Sequence, residues 1–215
     1  MIRVLIADDH AVMRNGLRHI LERAAGFVVT GEAANGAEVP RLVRDHPGDV
    51  IILDLSMPGR SGLELICLLR AEHPRLRILV LTMHAEEQYI VRAFRAGASG
   101  YLTKESAGTE LVEALRRVAA GGTYISPAMA EKLALGLQTH VADAPHASLS
   151  DRELEVFRRI VAGESLTDIA SALCVSAKTV STYKMRLLDK LKLRSDAALV
   201  RYAIEAKLFD DDTSL

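Results

Sequence analysis

Val50-Ile51-Ile52-Leu53-Asp54-Leu55-Ser56-Met57-Pro58-Gly59 decides the fold. Four apolar residues without alternation make a strand buried on both faces, the kind found in parallel sheets. Asp54 ends that strand, so it is carried to the sheet's C-terminal edge, where open α/β sheets keep their sites. Pro58 has no N–H to give, and the chain must turn. Outward from this point the pattern repeats. Residues 2–7 read as a buried strand ending in Asp8-Asp9, residues 77–82 as a strand ending in Thr82, and Gly100-Tyr101-Leu102 as a strand running into Thr103-Lys104. Phe27-Val28-Val29 adds a short one. Between them lie helices: one to about residue 24 on Val12, Leu17, Ile20 and Leu21, then 36–46, 61–72, 86–96 and 109–120, with Pro47-Gly48, His73-Pro74, Gly97 and Gly121-Gly122 as stops. Five strands alternating with five helices predict an α/β doubly wound, five-stranded parallel sheet over residues 1–122.

The second half of the chain changes character. Residues 126–138 read as a helix with Ser126 as N-cap and Pro127 at its first position, inside a linker of residues 123–147. Ser150-Asp151-Arg152-Glu153 is a capping box ahead of the apolar stripe Leu154, Val156, Phe157, Ile160 and Val161. Helices over 166–173, 177–191 and about 196–206 complete an all-α, four-helix domain of residues 148–209, followed by an acidic tail, 210–215. Two of these helices joined by a tight turn, the second one basic, predict a helix-turn-helix.

Composition sets the bounds. A chain of 215 residues, 49% apolar and 26% charged, suits one or two domains, each able to bury its own core. With no long apolar run and no signal-peptide layout, it is expected to be cytoplasmic, without a membrane partner. Cys67 and Cys174 lack metal or redox spacing and read as small core residues, and the 7 His are scattered. Net charge is −1, but its distribution is uneven. Residues 1–122 hold 15 basic and 15 acidic residues, whereas 178–194 holds six basic residues against Asp189 alone. That is an electrostatic footprint for DNA.

The strand ends bring Asp8, Asp9, Asp54, Thr82 and Lys104 to one edge. Three carboxylates together invite a hard divalent cation, most simply Mg²⁺. A cation with a lysine can neutralise a phosphoryl group, Thr82 can hydrogen-bond it, and Asp54 can accept it as a nucleophile. Singly, each residue has a plainer reading: a helix cap for Asp8 or Asp9, ordinary sheet for Thr82, surface for Lys104. The coincidence of all five favours the phosphoryl site.

Asp8-Asp9, Asp54-x-x-Met57-Pro58-Gly59, Thr82 and Gly100-Tyr-Leu-Thr-Lys104 resemble the CheY-like receiver domain of bacterial two-component response regulators. The resemblance implies that Asp54 takes phosphate from a sensor histidine kinase. It implies that Asp9, Asp54 and the Ser56 carbonyl hold Mg²⁺ with Asp8 supporting, that Lys104 pairs with the phosphate, and that Thr82 moves towards it. Tyr101 is implied as an aromatic switch; its plainer reading is a half-exposed strand tyrosine. Met83 stands where many receivers carry Ala or Gly, and its bulk is expected to shield the phosphate from water.

On helix 177–191, Val180, Leu187, Leu188 and Leu191 fall on one side, with Lys178, Thr182, Met185 and Asp189 opposite, flanked by Ser181, Arg186 and Lys192. Basic residues would meet phosphates, while Ser181, Thr182 and Met185 would meet base edges. Leu149 to Val156, Ala162-Gly163, Ile169-Ala170-x-x-Leu173, Val175-Ser176-x-x-Thr179-Val180 and Lys190-Leu191 resemble the LuxR/NarL-type helix-turn-helix. The whole chain thus looks like a NarL/FixJ-type regulator. Lys178-Thr179-Val-Ser181-Thr182-Tyr183-Lys184 is most similar to the BvgA/EvgA/GacA branch, with Ser181-Thr182-Tyr183 where many members have Lys-x-His. Candidate DNA contacts are Lys178, Thr179, Ser181, Thr182, Tyr183, Lys184, Met185, Arg186, Lys190 and Lys192, with Lys184 reaching a phosphate. The last helix, through Ala198, Leu199, Tyr202 and Ala203, is implied as the contact of a DNA-bound homodimer; packing within its own domain is the alternative.

The expected function is phosphorylation-activated, sequence-specific DNA binding that regulates transcription, with double-stranded DNA, a sensor kinase and RNA polymerase as partners. It is not that of an enzyme in the metabolic sense, although slow self-hydrolysis of the phosphate on Asp54 is compatible with it. The alternative is a phosphorylation-independent DNA-binding regulator with a non-signalling receiver. A haloacid-dehalogenase-like phosphotransferase would want an acid at position 56, where Ser56 stands, and no GxGxxG or P-loop supports a nucleotide enzyme.

Overall fold

A computed structural model describes residues 1–83, 87–138, 145–173, 175–206 and 208–209. Cys174, residues 139–144 of the expected linker and the acidic tail from Asp210 lie outside the described residues. The chain divides into two compact units, Met1–Leu135 and Gly136–Leu215.

The first unit alternates strand and helix: β1 Ile2–Ala7, α1 Ala11–Arg23, β2 Phe27–Ala33, α2 Val39–Asp45, β3 Val50–Leu53, α3 Gly62–Glu72, β4 Arg77–Thr82, α4 Glu87–Ala96, β5 Gly100–Thr103, α5 Ala107–Ala119 and β6 Tyr124–Ile125; α6 Pro127–Gln138 follows and includes the division at Leu135. The sheet order is β2-β1-β3-β4-β5-β6, with every neighbouring pair parallel. The sheet has six strands, not five. Tyr124 and Ile125 pair with Gly100 and Tyr101, and two residues are too few to carry a strand periodicity.

The central strands justify their unbroken apolar runs. Val4–Ala7, Val50–Leu53 and Ile78–Leu81 are all essentially inaccessible. Val4, Ile6, Val50, Ile52, Leu79 and Leu81 form one core with Leu17, Leu21, Leu111, Leu115 and Val118. By the strand period of two, Leu5, Ile51, Leu53 and Val80 face the other layer. Val12 belongs to neither core: it is 86% exposed, because the helical period sets it on the face of α1 opposite Leu17 and Leu21. Cys67 is also exposed, not buried, since α3 turns Leu65, Ile66 and Leu69 inward instead.

Two local details shape the candidate edge. β2 runs four residues longer than its apolar triplet suggests, with a bulge that admits Thr30 between the pairs Val4↔Val29 and Leu5↔Gly31. Gly62 starts α3 so close to the loop after β3 that an added Cβ would lie 2.4 Å from Leu55 Cα. Only glycine permits that approach, which fixes the path of residues 55–61.

The second unit holds α7 Asp151–Val161, α8 Leu166–Ala172, α9 Ala177–Leu191 and α10 Asp196–Glu205, after a 3₁₀ turn at Pro145–Ser148. Each helix is opened by a serine, Ser150, Ser165, Ser176 or Ser195, whose hydroxyl accepts the backbone N–H three residues on. The capping box is complete: Ser150 N–H donates to Glu153 Oε2 at 2.7 Å. Leu154, Val156, Phe157, Ile169, Val180, Leu187 and Leu199 fill the core. Phe157 lies edge-on to Phe209 with centroids 5.3 Å apart and 6.3 Å from Tyr202. Phe157→Ala is expected to remove about 3–5 kcal/mol from this unit alone; calorimetry should show one early transition and one unchanged.

Candidate functional site

Three strand ends build an acidic pocket. β1 delivers Asp8, 1% exposed, and the half-exposed Asp9; β3 delivers Asp54, also 1% exposed. Backbone pairing fixes their level on the edge: Asp54 N–H donates to Ala7 O at 2.9 Å and Asp8 N–H to Ala33 O at 3.2 Å. β5 hands over Lys104, whose N–H is held by Thr82 O at 2.9 Å. Its ammonium bridges the carboxylates, donating to Asp54 Oδ2 at 2.7 Å and lying 2.8 Å from Asp8 Oδ2. Asp54 Oδ1 accepts the Ser56 N–H at 3.0 Å. Thr82 is fully buried at the end of β4.

The electrostatics follow from burial. Desolvation pushes the Asp54 carboxyl above the usual carboxylate range, with the nearby Asp8 charge adding to it; Lys104 and the Ser56 N–H oppose this without cancelling it. For Lys104, burial alone would lower the ammonium, but the charges of Asp54 and Asp8 outweigh it and hold it above its ordinary value. One lysine therefore serves two buried carboxylates beside a third acid. Ligand atoms of Asp8, Asp9, His10 and Asp54 all lie within 4.8 Å of one another. Asp8 Oδ2 faces the Lys104 ammonium alone, and Asp9 Oδ1 is a buried oxygen with no aligned hydrogen-bond donor. A set of hard oxygen donors with unused acceptor capacity fits a divalent cation.

The structure thus joins Asp8, Asp54 and Lys104 by direct contact, ties Thr82 to Lys104 through the backbone, and places Asp9 within 4.8 Å of Asp8 and Asp54. Ser56 is exposed in the following loop, and Tyr101 is fully buried rather than half-exposed. Two residues were missed. Arg14 donates from Nη1 to Asp8 O at 2.7 Å, and His10 Nδ1 sits 2.8 Å from Asp9 Oδ1. His10 adjoins the acidic pair in the sequence, a signal lost when the histidines are judged only by their scatter.

On α9, Val180, Leu187 and Leu191 are buried, and Leu188 is half-buried. Lys178, Ser181, Met185, Arg186 and Lys192 are exposed, with Thr179, Thr182 and Tyr183 at the margin. The Ser181 and Thr182 hydroxyls donate back to the Ala177 and Lys178 carbonyls at 2.9 and 3.0 Å. Lys192 caps the helix in the left-handed region at φ 56°. Two lysines of the expected set are engaged within the unit. Lys184 Nζ donates to Asp196 Oδ2 at 2.6 Å, and Lys190 Nζ donates to Glu153 Oε2 at 2.6 Å and to Ser148 O at 3.2 Å.

Lys190 therefore ties α9 to the first turn of α7. Burial alone would raise Glu153, but Lys190 and Ser150 hold it below the usual carboxylate range. Lys190→Ala is expected to destabilise the helical unit by about 1–3 kcal/mol. A lowered folded pKa gives stability that is present above the unfolded carboxylate value and lost as pH falls, so the penalty should shrink on acidification; thermal melts at two pH values measure it. The expected dimer residues of α10 also face inward: Leu199 and Ala203 are fully buried, and Tyr202 hydrogen-bonds His146 Nδ1 at 3.0 Å. The outer face of α10 instead carries Ala197, Arg201 and Ile204, the last 65% exposed.

Among the described residues, no helix is long and apolar enough to cross a membrane. Residues 4–116 match the response regulator receiver domain, and residues 147–203 match the luxR family of bacterial regulatory proteins. The response regulator GacA of Pseudomonas viridiflava is 38% identical over 211 residues, 98% of this chain and 99% of that protein. Among solved structures, RcsB of Salmonella enterica serovar Typhimurium, bound to a promoter in the presence of the phosphomimetic BeF3⁻, superposes with a TM-score of 0.66 at 32% identity, covering 94% of this chain and 97% of that one. A structure of two RcsB dimers on two parallel DNAs gives 0.59 at 30% identity, covering 94% and 98%. The pocket, the helix-turn-helix and the matches along nearly the whole length agree, and the chain belongs to the response regulators that join a receiver domain to a luxR-family DNA-binding domain.

Proposed function

We propose that this chain is a two-component response regulator in which phosphorylation of Asp54 by a sensor histidine kinase promotes dimerisation and sequence-specific binding to promoter DNA. The observation that carries it is the Lys104 bridge between Asp54 and Asp8. A nucleophilic carboxylate is kept beside a lysine ammonium and two further acids, an arrangement that has no purpose in a silent strand end. Asp9, Asp54 and the Ser56 carbonyl would hold Mg²⁺, with Asp8 in support; the ion supplies charge neutralisation for the incoming phosphoryl group. An Asp54 oxygen forms the P–O bond as the donor's P–N bond breaks, and the proton needed by the departing imidazole comes from solvent. Lys104 then exchanges its hold on Asp54 for the phosphoryl oxygens, and Thr82 hydrogen-bonds one of them. The added charge of about −1.5 to −2 shifts β4 and β5, with Tyr101 as the buried reporter of that shift.

The receiver comprises residues 1–122 with β6 added at its edge, and residues 148–209 form the four-helix DNA-binding domain. Lys178, Arg186 and Lys192 meet phosphates; Ser181, Thr182 and Met185 face base edges, with Thr179 and Tyr183 at the flank. The RcsB complexes support this reading, as does the exposure of those residues. Dimer contact through α10 would use Ala197, Arg201 and Ile204. The protein works in the cytoplasm and is a switch, not a metabolic enzyme: self-hydrolysis resets it slowly. Met83, 64% exposed just beyond Thr82, slows that hydrolysis by shielding the phosphate; Met83→Ala should lose label from Asp54 several-fold faster, as followed by intact mass over time.

The test of the whole reading is light scattering and DNA anisotropy, with and without acetyl phosphate and Mg²⁺. Dimerisation and tighter promoter binding on addition are expected. Tight binding that ignores the donor, in a protein whose Asp54 is shown to be phosphorylated, would favour the phosphorylation-independent regulator.

A further inference from the structure

We propose that His10 Nδ1 is a ligand of the divalent ion in the acidic pocket, so that the site accepts borderline first-row ions more readily than an all-oxygen site would. This rests on the reading that the pocket holds a divalent ion. His10 occupies the N-cap position of α1, yet its side chain makes no capping hydrogen bond. Its backbone N–H donates to Asp8 Oδ1 at 2.8 Å, which pins the residue against the pocket. Nδ1 lies 2.8 Å from Asp9 Oδ1 and 3.4 Å from Asp8 Oδ1. Asp9 Oδ1 nevertheless has no aligned hydrogen-bond donor, so the imidazole converges on the carboxylates without being satisfied by them.

Those separations are what ligands of one ion show. At metal–ligand distances of about 2.1 Å, adjacent octahedral ligands stand about 3.0 Å apart and opposed ones about 4.2 Å. The two His10 distances bracket the first figure. The 4.8 Å limit on the full set, Asp8, Asp9, His10 and Asp54, requires only a small inward movement. The imidazole can make it, because its side chain is 67% exposed and turns without displacing packed neighbours. A nitrogen donor among carboxylates favours Co²⁺ or Ni²⁺ relative to Mg²⁺, which prefers oxygen.

The experiment loads the full chain with Mn²⁺ and records nitrogen-14 modulation by pulsed EPR, beside His10→Gln and the double variant Asp8→Ala with Asp9→Ala. Calorimetric titrations with Co²⁺ and Mg²⁺ accompany it. Histidine nitrogen coupling is expected in the unsubstituted protein and lost in His10→Gln, whose preference for Co²⁺ over Mg²⁺ should fall by about tenfold or more. Mn²⁺ bound without nitrogen coupling, or coupling that survives His10→Gln, would overturn the His10 assignment and leave the ion site standing. Coupling that survives undiminished when Asp8 and Asp9 are both replaced by alanine would place the nitrogen at another site and overturn it too. No ion uptake at all would overturn the underlying cation reading as well.

Discussion

Asp54→Asn abolishes phosphoryl uptake from acetyl phosphate and Mg²⁺ and, in the same protein, raises the melting temperature of the unphosphorylated receiver. The first effect is all or none, because the amide cannot form an acyl phosphate; intact mass should show one phosphoryl group on the parent chain and none on the variant. The second follows from burial. Asp54 is 1% exposed and its carboxyl is pushed above its ordinary range, so the folded state binds that proton more tightly than the unfolded chain. Its contribution is therefore favourable at low pH and is lost as pH rises from the unfolded value through the raised folded one. Lys104 has the same consequence in a different window: its raised value gives stability present below the ordinary lysine pKa and lost only above it. Between mildly acidic and neutral pH the Asp54 contribution changes and that of Lys104 does not. The parent receiver should lose melting temperature across that interval more than Asp54→Asn does. Phosphoryl uptake on the variant would sink the assignment of the acceptor. A variant that melts lower at both pH values would sink the claim that the pocket is electrostatically loaded.

DNA affinity falls by about a thousandfold between 50 and 200 mM salt. Lys178, Arg186 and Lys192 are exposed on or beside the outer face of α9, and a dimer presents each twice, on the order of six phosphate contacts, for which a loss of that size is expected. Lys184 and Lys190 are left out of this count because Asp196 and Glu153 hold them. Replacing Lys178 and Arg186 together by alanine should weaken binding to any sequence and flatten the logarithmic salt slope by about 1 for each phosphate that is no longer neutralised. Lys190→Ala, by contrast, should lower stability while leaving the slope unchanged in folded protein. Anisotropy titrations over a range of salt concentrations decide it. A flat response, or a slope that drops with Lys190 and not with Lys178, would show that the phosphate-binding cations lie elsewhere.

The two effects act in different units of the chain, and each was legible to a different degree. Asp8, Asp9, Asp54 and Lys104 could be placed together from the chain alone, because parallel strands deliver their C-terminal ends to one edge whatever the details of packing. The buried side of α9 was likewise readable, since Val180, Leu187 and Leu191 recur at helical spacing ahead of a turn. β6 was not, because a two-residue strand exists only through its pairing with Gly100 and Tyr101. Cys67 was misplaced because an apolar side chain does not say whether a neighbouring element covers it, and Val12 because it was grouped with Leu17 and Leu21 although the helical period sets it opposite them.

What the sequence by itself determined was the class: a doubly wound sheet with a charged edge, followed by a helix-turn-helix with a basic helix. Periodicity and strand ends are local properties, and a chain with these patterns can bury its apolar surface in few other ways. Only the tertiary structure decided which charges remain available. Lys104 spans Asp54 and Asp8, fifty and ninety-six residues back along the chain, and Lys190 reaches thirty-seven residues back to Glu153. Ion pairs of that separation depend on where packing sets whole elements, so composition counts those lysines while the fold alone assigns them.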